Sequence, residues 1–207
     1  MKFAICNEVF EGWSIDDSIR FVAETGYDAI EIAPFTLAQY VTEIPIAERQ
    51  RIRSMAEDNG IEVSAIHWVL IKTEGLYMTH TDEAVREKTS DYFCELVDCC
   101  ADLGGKAIVV GSPKLRNLLP GVSFEQAWEL AQETFAKSIK RAEDKGVTIC
   151  FEPLAPSETD FINTAEQAIE FVSQFDSDAF KIILDVKAMS SEAKPIPEII
   201  RDSHPNF

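Results

Sequence analysis

Apolar positions along the chain follow two alternating periods. One is helical: Ser14 precedes Ile15, Ile19 and Val22 on one face, and Ser123 precedes Phe124, Ala127, Ala131, Phe135 and Ile139 on another. Thr164 opens a third such segment, "AEQAIEFVSQF". The other period is a short, nearly continuous apolar run rich in β-branched residues. Six such runs predict strands near 2–6, 28–33, 61–67, 107–112, 147–152 and 180–186. The two periods meet in a repeated junction, Ala, then acid, then Gly, then strand. It reads "AETGYDAIEIAP" (23–34), "AEDNGIEVSAIHW" (56–68), "ADLGGKAIVVGSP" (101–113) and "AEDKGVTICFEPL" (142–154). Gly26, Gly60, Gly104 and Gly146 close the helices where a left-handed residue is wanted. Their spacing of 34, 44 and 42 residues is that of a strand–helix unit with its loops.

Strands alternating with helices predict an α/β fold with a parallel sheet and right-handed crossovers. No glycine-rich phosphate loop follows any strand, so an open dinucleotide-binding sheet lacks its signature. Polar residues instead gather at strand C-termini: Asn7 and Glu8, Glu31, His67, Ser112, Glu152 and Asp185. In a (β/α)8 barrel of the TIM type those ends form the active face. With 207 residues and six strand–helix units, the expectation is a single domain, 1–207, lacking the last two units of that barrel.

Composition narrows the function class. The chain is 46% hydrophobic and 27% charged, as ordinary globular proteins are. A net charge of -17 argues against nucleic acid and anionic membranes as partners. No apolar run reaches spanning length. Five cysteines, none in a CxxC pair, suit reduced thiols and a cytoplasmic location. A homo-oligomer is compatible with all of this.

The candidate chemistry lies in two acids that end apolar runs. Glu152 follows "VTICF" and Asp185 follows "KIIL". Carboxylates on adjacent strands raise each other's pKa or share a cation. An all-oxygen pair suits Mg2+ or Mn2+, with Co2+ or Zn2+ as alternatives where a histidine joins. The other reading pairs each acid with a base, Lys187 or Lys106. Glu158, Glu8 and His67 are candidates for substrate contact, Trp68 and Trp13 for the apolar wall of the pocket.

"FEPLAPSETDFINT", with "IILDVKAM" some thirty residues on, resembles the xylose isomerase-like TIM-barrel superfamily. So does "GLYMTHTDEAVREKTSDYFCELVDCCADLGGKAIVVGSP" (75–113). The nearest branch is the sugar phosphate isomerase/epimerase group, with tagatose 3-epimerase, hydroxypyruvate isomerase and inosose dehydratase among its members. The resemblance implies a divalent metal held by Glu152 and Asp185, with a His after strand seven and a Glu after strand eight expected beyond Phe207. It implies an isomerase or epimerase, or a related dehydratase, acting on a small sugar, polyol or hydroxy-carbonyl compound through an enediolate, with Glu152 as ligand and acid/base. Glu158 matches an acid that hydrogen-bonds the substrate. Ala188 stands where the group often has a histidine. The competing classes are a non-catalytic barrel kept for binding or assembly and an endonuclease IV-like nuclease. The second needs a histidine-rich zinc cluster, and the chain has His67, His80 and His204 only.

Overall fold

The computed structural model describes residues 1–207. Six strands, β1 (Ala4–Cys6), β2 (Ala29–Ile32), β3 (Glu62–Ile66), β4 (Ala107–Val110), β5 (Thr148–Phe151) and β6 (Phe180–Ile182), form one parallel sheet in chain order. Helices α1 (Ile15–Thr25), α2 (Ile46–Asp58), α3 (Glu83–Asp102), α4 (Phe124–Lys145) and α5 (Ala165–Val172) follow the first five strands in turn. A short α6 (Val186–Met189) and α7 (Ile196–Ser203) follow β6. This is the wall of a TIM-type barrel, open between β1 and β6. Beyond α7 the chain returns to the β6 edge, where Ile182 N–H donates to Asn206 O at 2.9 Å.

Local sequence explains the helix ends. Ser14, Ser123 and Thr164 each accept the N–H of the residue three positions on, satisfying one orphan donor. The four junction glycines all have left-handed φ, from 64° at Gly146 to 92° at Gly26. The main core lies between sheet and helices. Phe135 and Phe93 meet at 4.7 Å between ring centroids, and Phe135 stacks on Phe180 at 5.2 Å. Phe151 and Phe171 complete this fully buried cluster. Each ring contributes roughly 1.5–3 kcal/mol by burial.

Strand six is shorter than the apolar run "FKIILDV" suggests. Its ladder with β5 extends to Ile183 N–H, which donates to Phe151 O at 3.1 Å. Two residues beyond Phe151, Pro153 turns the chain away, so Leu184 onward has no strand to pair with. Asp185 therefore ends no strand. It caps α6, its Oδ1 accepting the Ala188 N–H at 2.7 Å.

Candidate functional site

Glu152 and His67 directly follow strands, whereas Asp185 caps α6 and Glu158 lies in the loop after β5. Glu152 is the residue after β5, and its N–H still donates to Val110 O at 3.1 Å. The register pairs Phe151 with Ile182, so Asp185 stands two residues above Glu152 rather than level with it. Both nevertheless line one cavity of about 220 Å³. Its other walls are His67, Trp68, Gly111, Ser112, Pro113, Leu154, Glu158 and Lys187.

Glu152 is buried, 9% exposed, yet no side chain pairs with it. Its Oε2 occupies the space above Gly111, where any Cβ would collide with it. Burial pushes its carboxyl up. His67 and Arg116 oppose this, Asp185 and Glu158 reinforce it, and the net direction is upward. The ion-pair reading of the two acids fails on geometry. Lys187 Nζ bonds Glu158 Oε1 at 2.7 Å. Lys106 precedes β4 and so lies at the opposite end of the sheet. Glu158 is thus a paired acid at the cavity rim, side chain 25% exposed.

The loop after β5 is self-supporting. Asn163 Nδ2 donates to Leu154 O at 2.8 Å and Thr159 O at 2.9 Å, and Glu158 N–H donates to Ala155 O at 2.8 Å. This closes "PLAPSETDFIN" into a compact turn that fixes Glu158. The loop after β4 locks onto it through Thr159 Oγ1 to Asn117 Oδ1 at 2.8 Å, and Leu118 N–H to Asp160 Oδ1 at 2.7 Å.

His67 follows β3 and bonds Glu31 Oε2 through Nδ1 at 3.3 Å. Burial works to lower its pKa. The Glu31 bond and the charges of Glu152, Glu31 and Glu8 outweigh burial and raise it. Trp68 stacks on the His67 ring at 5.7 Å. Trp68 (φ 56°) and Ser112 (φ 47°) are both left-handed non-glycine residues facing this cavity, a strain the surrounding packing must hold. Two other candidates lie apart. Trp13 packs on Phe10 and Phe21, at 5.5 and 5.4 Å, beside a separate hollow of about 630 Å³. Glu8 borders that same hollow, and its field still reaches His67.

Sequence reasoning missed Arg116. It is fully buried, donates Nη1 to Glu152 O at 2.7 Å and lies over the Phe151 ring at 4.8 Å. Burial pushes its pKa down to about 9, against the raising charges of Glu152 and Glu158. No pattern in "SPKLRNLLPG" separates this arginine from a solvated loop cation. Gly111 was likewise read only as a strand end.

The residues present suit a hard divalent cation. Glu152 offers a buried carboxylate that accepts no hydrogen bond from the chain, and Asp185 keeps an oxygen free of its capping bond. Two oxygen donors are fewer than any such ion takes.

Several known proteins share this architecture. The chain is 28% identical over 187 residues to a D-psicose 3-epimerase of Ruminiclostridium cellulolyticum, covering 88% of this chain and 61% of that protein. It is 27% identical over 194 residues to a D-psicose 3-epimerase of Agrobacterium fabrum, covering 90% and 63%. The chain thus spans less than two thirds of the length of either relative. A crystal structure of a D-psicose 3-epimerase in the presence of D-fructose superposes with a TM-score of 0.85 and 25% identity, over 100% of this chain and 71% of that one. An L-ribulose 3-epimerase structure, 22% identical with a TM-score of 0.82, shares the fold. The family model of the Xylose isomerase-like TIM barrel matches residues 19–204. By that match, and by the parallel strands that carry the acids to one end of the sheet, the chain belongs to the Xylose isomerase-like TIM barrel family.

Proposed function

We propose that this chain forms the larger part of a divalent-metal-dependent sugar isomerase or epimerase, a barrel short here of its last two strand–helix units. The observation that carries the reading is Glu152. It is a buried carboxylate with a raised pKa, no pairing cation and an open cavity in front of it. An acid so placed is suited to proton transfer. The similarity to sugar 3-epimerases supports the reaction class.

Glu152 and Asp185 would hold the metal, Mn2+ or Mg2+ by their oxygen chemistry. When bound, it supplies Lewis-acid polarisation of the substrate carbonyl. Glu152 Oε2, lifted over Gly111, faces the carbon beside that carbonyl and takes its proton. The electron pair of the broken C–H bond moves into an enediolate. His67, held by Glu31, donates toward the developing oxygen charge. Return of the proton to the same face exchanges it. Return to the opposite face needs a second acid across the cavity, and inverts the carbon. Lys187 holds Glu158 at the rim, where its free oxygen accepts from a substrate hydroxyl. Trp68 offers its ring to the apolar C–H face of a sugar. The free thiols support a reducing compartment, the cytoplasm.

Full-length protein incubated with Mn2+ and a panel of ketoses in deuterated water tests this. The expected result is deuterium at a carbon adjacent to the carbonyl, and a loss of about 100-fold or more in the Glu152→Gln variant. Unchanged exchange in that variant sinks the assigned role. Absence of exchange in the parent protein favours a barrel kept for binding.

A further inference from the structure

Across the barrel mouth from Asp185 lies a second group of donors that the reaction above does not use as ligands. Cys6 ends β1, Glu31 sits on β2 and His67 follows β3. The sheet register makes them neighbours: Cys6 pairs with Glu31, and His67 N–H donates to Ile32 O at 3.0 Å. The Cys6 Sγ, a Glu31 oxygen and a His67 ring nitrogen all lie within 4.8 Å of one another. Zinc bonds of 2.0–2.3 Å in a tetrahedron put ligand atoms about 3.3–3.8 Å apart. The Glu31–His67 pair, at 3.3 Å, already has that spacing. Closing the triangle takes about an ångström of side-chain movement.

A second observation points to a missing cation. Glu8 Oε2 is buried and has no hydrogen-bond partner. Glu8 lies against the Cys6 thiol. Three acids, Glu8, Glu31 and Glu152, bear on His67. An orphaned buried carboxylate oxygen beside a thiol is what a soft or borderline cation would satisfy.

We propose that Cys6, Glu31 and His67 form a binding site for a transition metal of the zinc type. The donor set differs in kind from the hard-oxygen pair Glu152 and Asp185, so the two sites select different ions. On binding, the Cys6 S–H bond breaks, a sulfur–metal bond forms and the proton leaves to solvent. The inference rests on the first three strands alone and does not depend on the reaction proposed for Glu152.

Cobalt(II) is the probe, because a thiolate ligand gives it a sulfur-to-metal charge-transfer band in the near ultraviolet. The parent protein should develop that band and saturate it at one equivalent per chain. Cys6→Ser should abolish the band and weaken Zn2+ binding at least tenfold, while Asp185→Asn keeps both. In the parent protein Zn2+ binding should also release the Cys6 proton to solvent, read with a pH indicator in weak buffer, a test that needs no variant. A parent protein with no thiolate band, Zn2+ binding unchanged in Cys6→Ser, or binding lost only in Asp185→Asn overturns the proposal.

Discussion

Glu152 and Gly111 show how a single position shapes the site. The carboxylate occupies space that only glycine leaves open. Gly111→Ala should therefore move Glu152 without unfolding the protein, because the displaced atom is the end of a flexible side chain. The expected outcome is a melting temperature close to that of the parent and a fall of tenfold or more in deuterium exchange, measured on the same ketose panel. Glu152 was legible as a candidate, since an acid at the end of an apolar run signals an unexplained cost. Gly111 was not, because what it makes room for comes from the next strand. Arg116 was hidden for the same reason: its burial and its bond to Glu152 O are made by a loop folding back over β5. Trp13 was a reasonable candidate on chemistry alone, yet a turn after β1 carries it into an aromatic cluster with Phe10 and Phe21.

At the scale of elements, α3 and α4 form the most extensive helix pair, fastened at its surface by Asp98. Its carboxylate takes two bonds from Arg141, at 2.9 and 2.8 Å, with Lys145 at 3.4 Å. Burial works to raise this carboxyl, but the Arg141 bonds and the charges of Arg141 and Lys145 outweigh it and hold it below the ordinary range. A depressed carboxyl stabilises the fold above its unfolded pKa, near 3.8, and that contribution is lost as pH falls through the lower folded value. Asp98→Asn should cost about 0.5–1 kcal/mol at pH 7, and the difference from the parent should vanish in acid below that window. Urea midpoints at the two pH values measure it. The helices begun by Ser14, Ser123 and Thr164 and the four closing glycines were readable from the local sequence. The end of β6 was not, because strand length depends on where the partner strand turns away, here at Pro153.

For the molecule as a whole, the five cysteines report on the integrity of the core. Burial pushes the Cys99 and Cys150 thiols up to about 11 and Cys100 to about 12. At pH 8 a thiol of pKa 11 is roughly one part in a thousand thiolate, and the thiolate is the reactive form. In the native protein Cys94, half-buried on α3, should react first with a disulfide reagent. Cys99, Cys100 and Cys150 should react only on unfolding, together, as one cooperative unit. A stopped-flow thiol count with and without denaturant checks this, and early reaction of Cys100 would show that the sheet–helix interface opens locally.

The sequence by itself determined the class of fold, because strand and helix periods are local properties, and so are caps and closing glycines. It also determined which end of the sheet gathers the polar candidates, since polar residues concentrate after one end of the apolar runs. Only the tertiary structure decided which of those residues meet. Asp185 and Glu152 share a cavity although their levels differ. Lys187 turned out to hold Glu158 rather than either of them. Cys6, Glu31 and His67 converge although the chain separates them by 25 and 36 residues. The physical reason is that a parallel sheet brings distant segments into register through helices of unequal length, and that register is a property of packing rather than of any local stretch of chain.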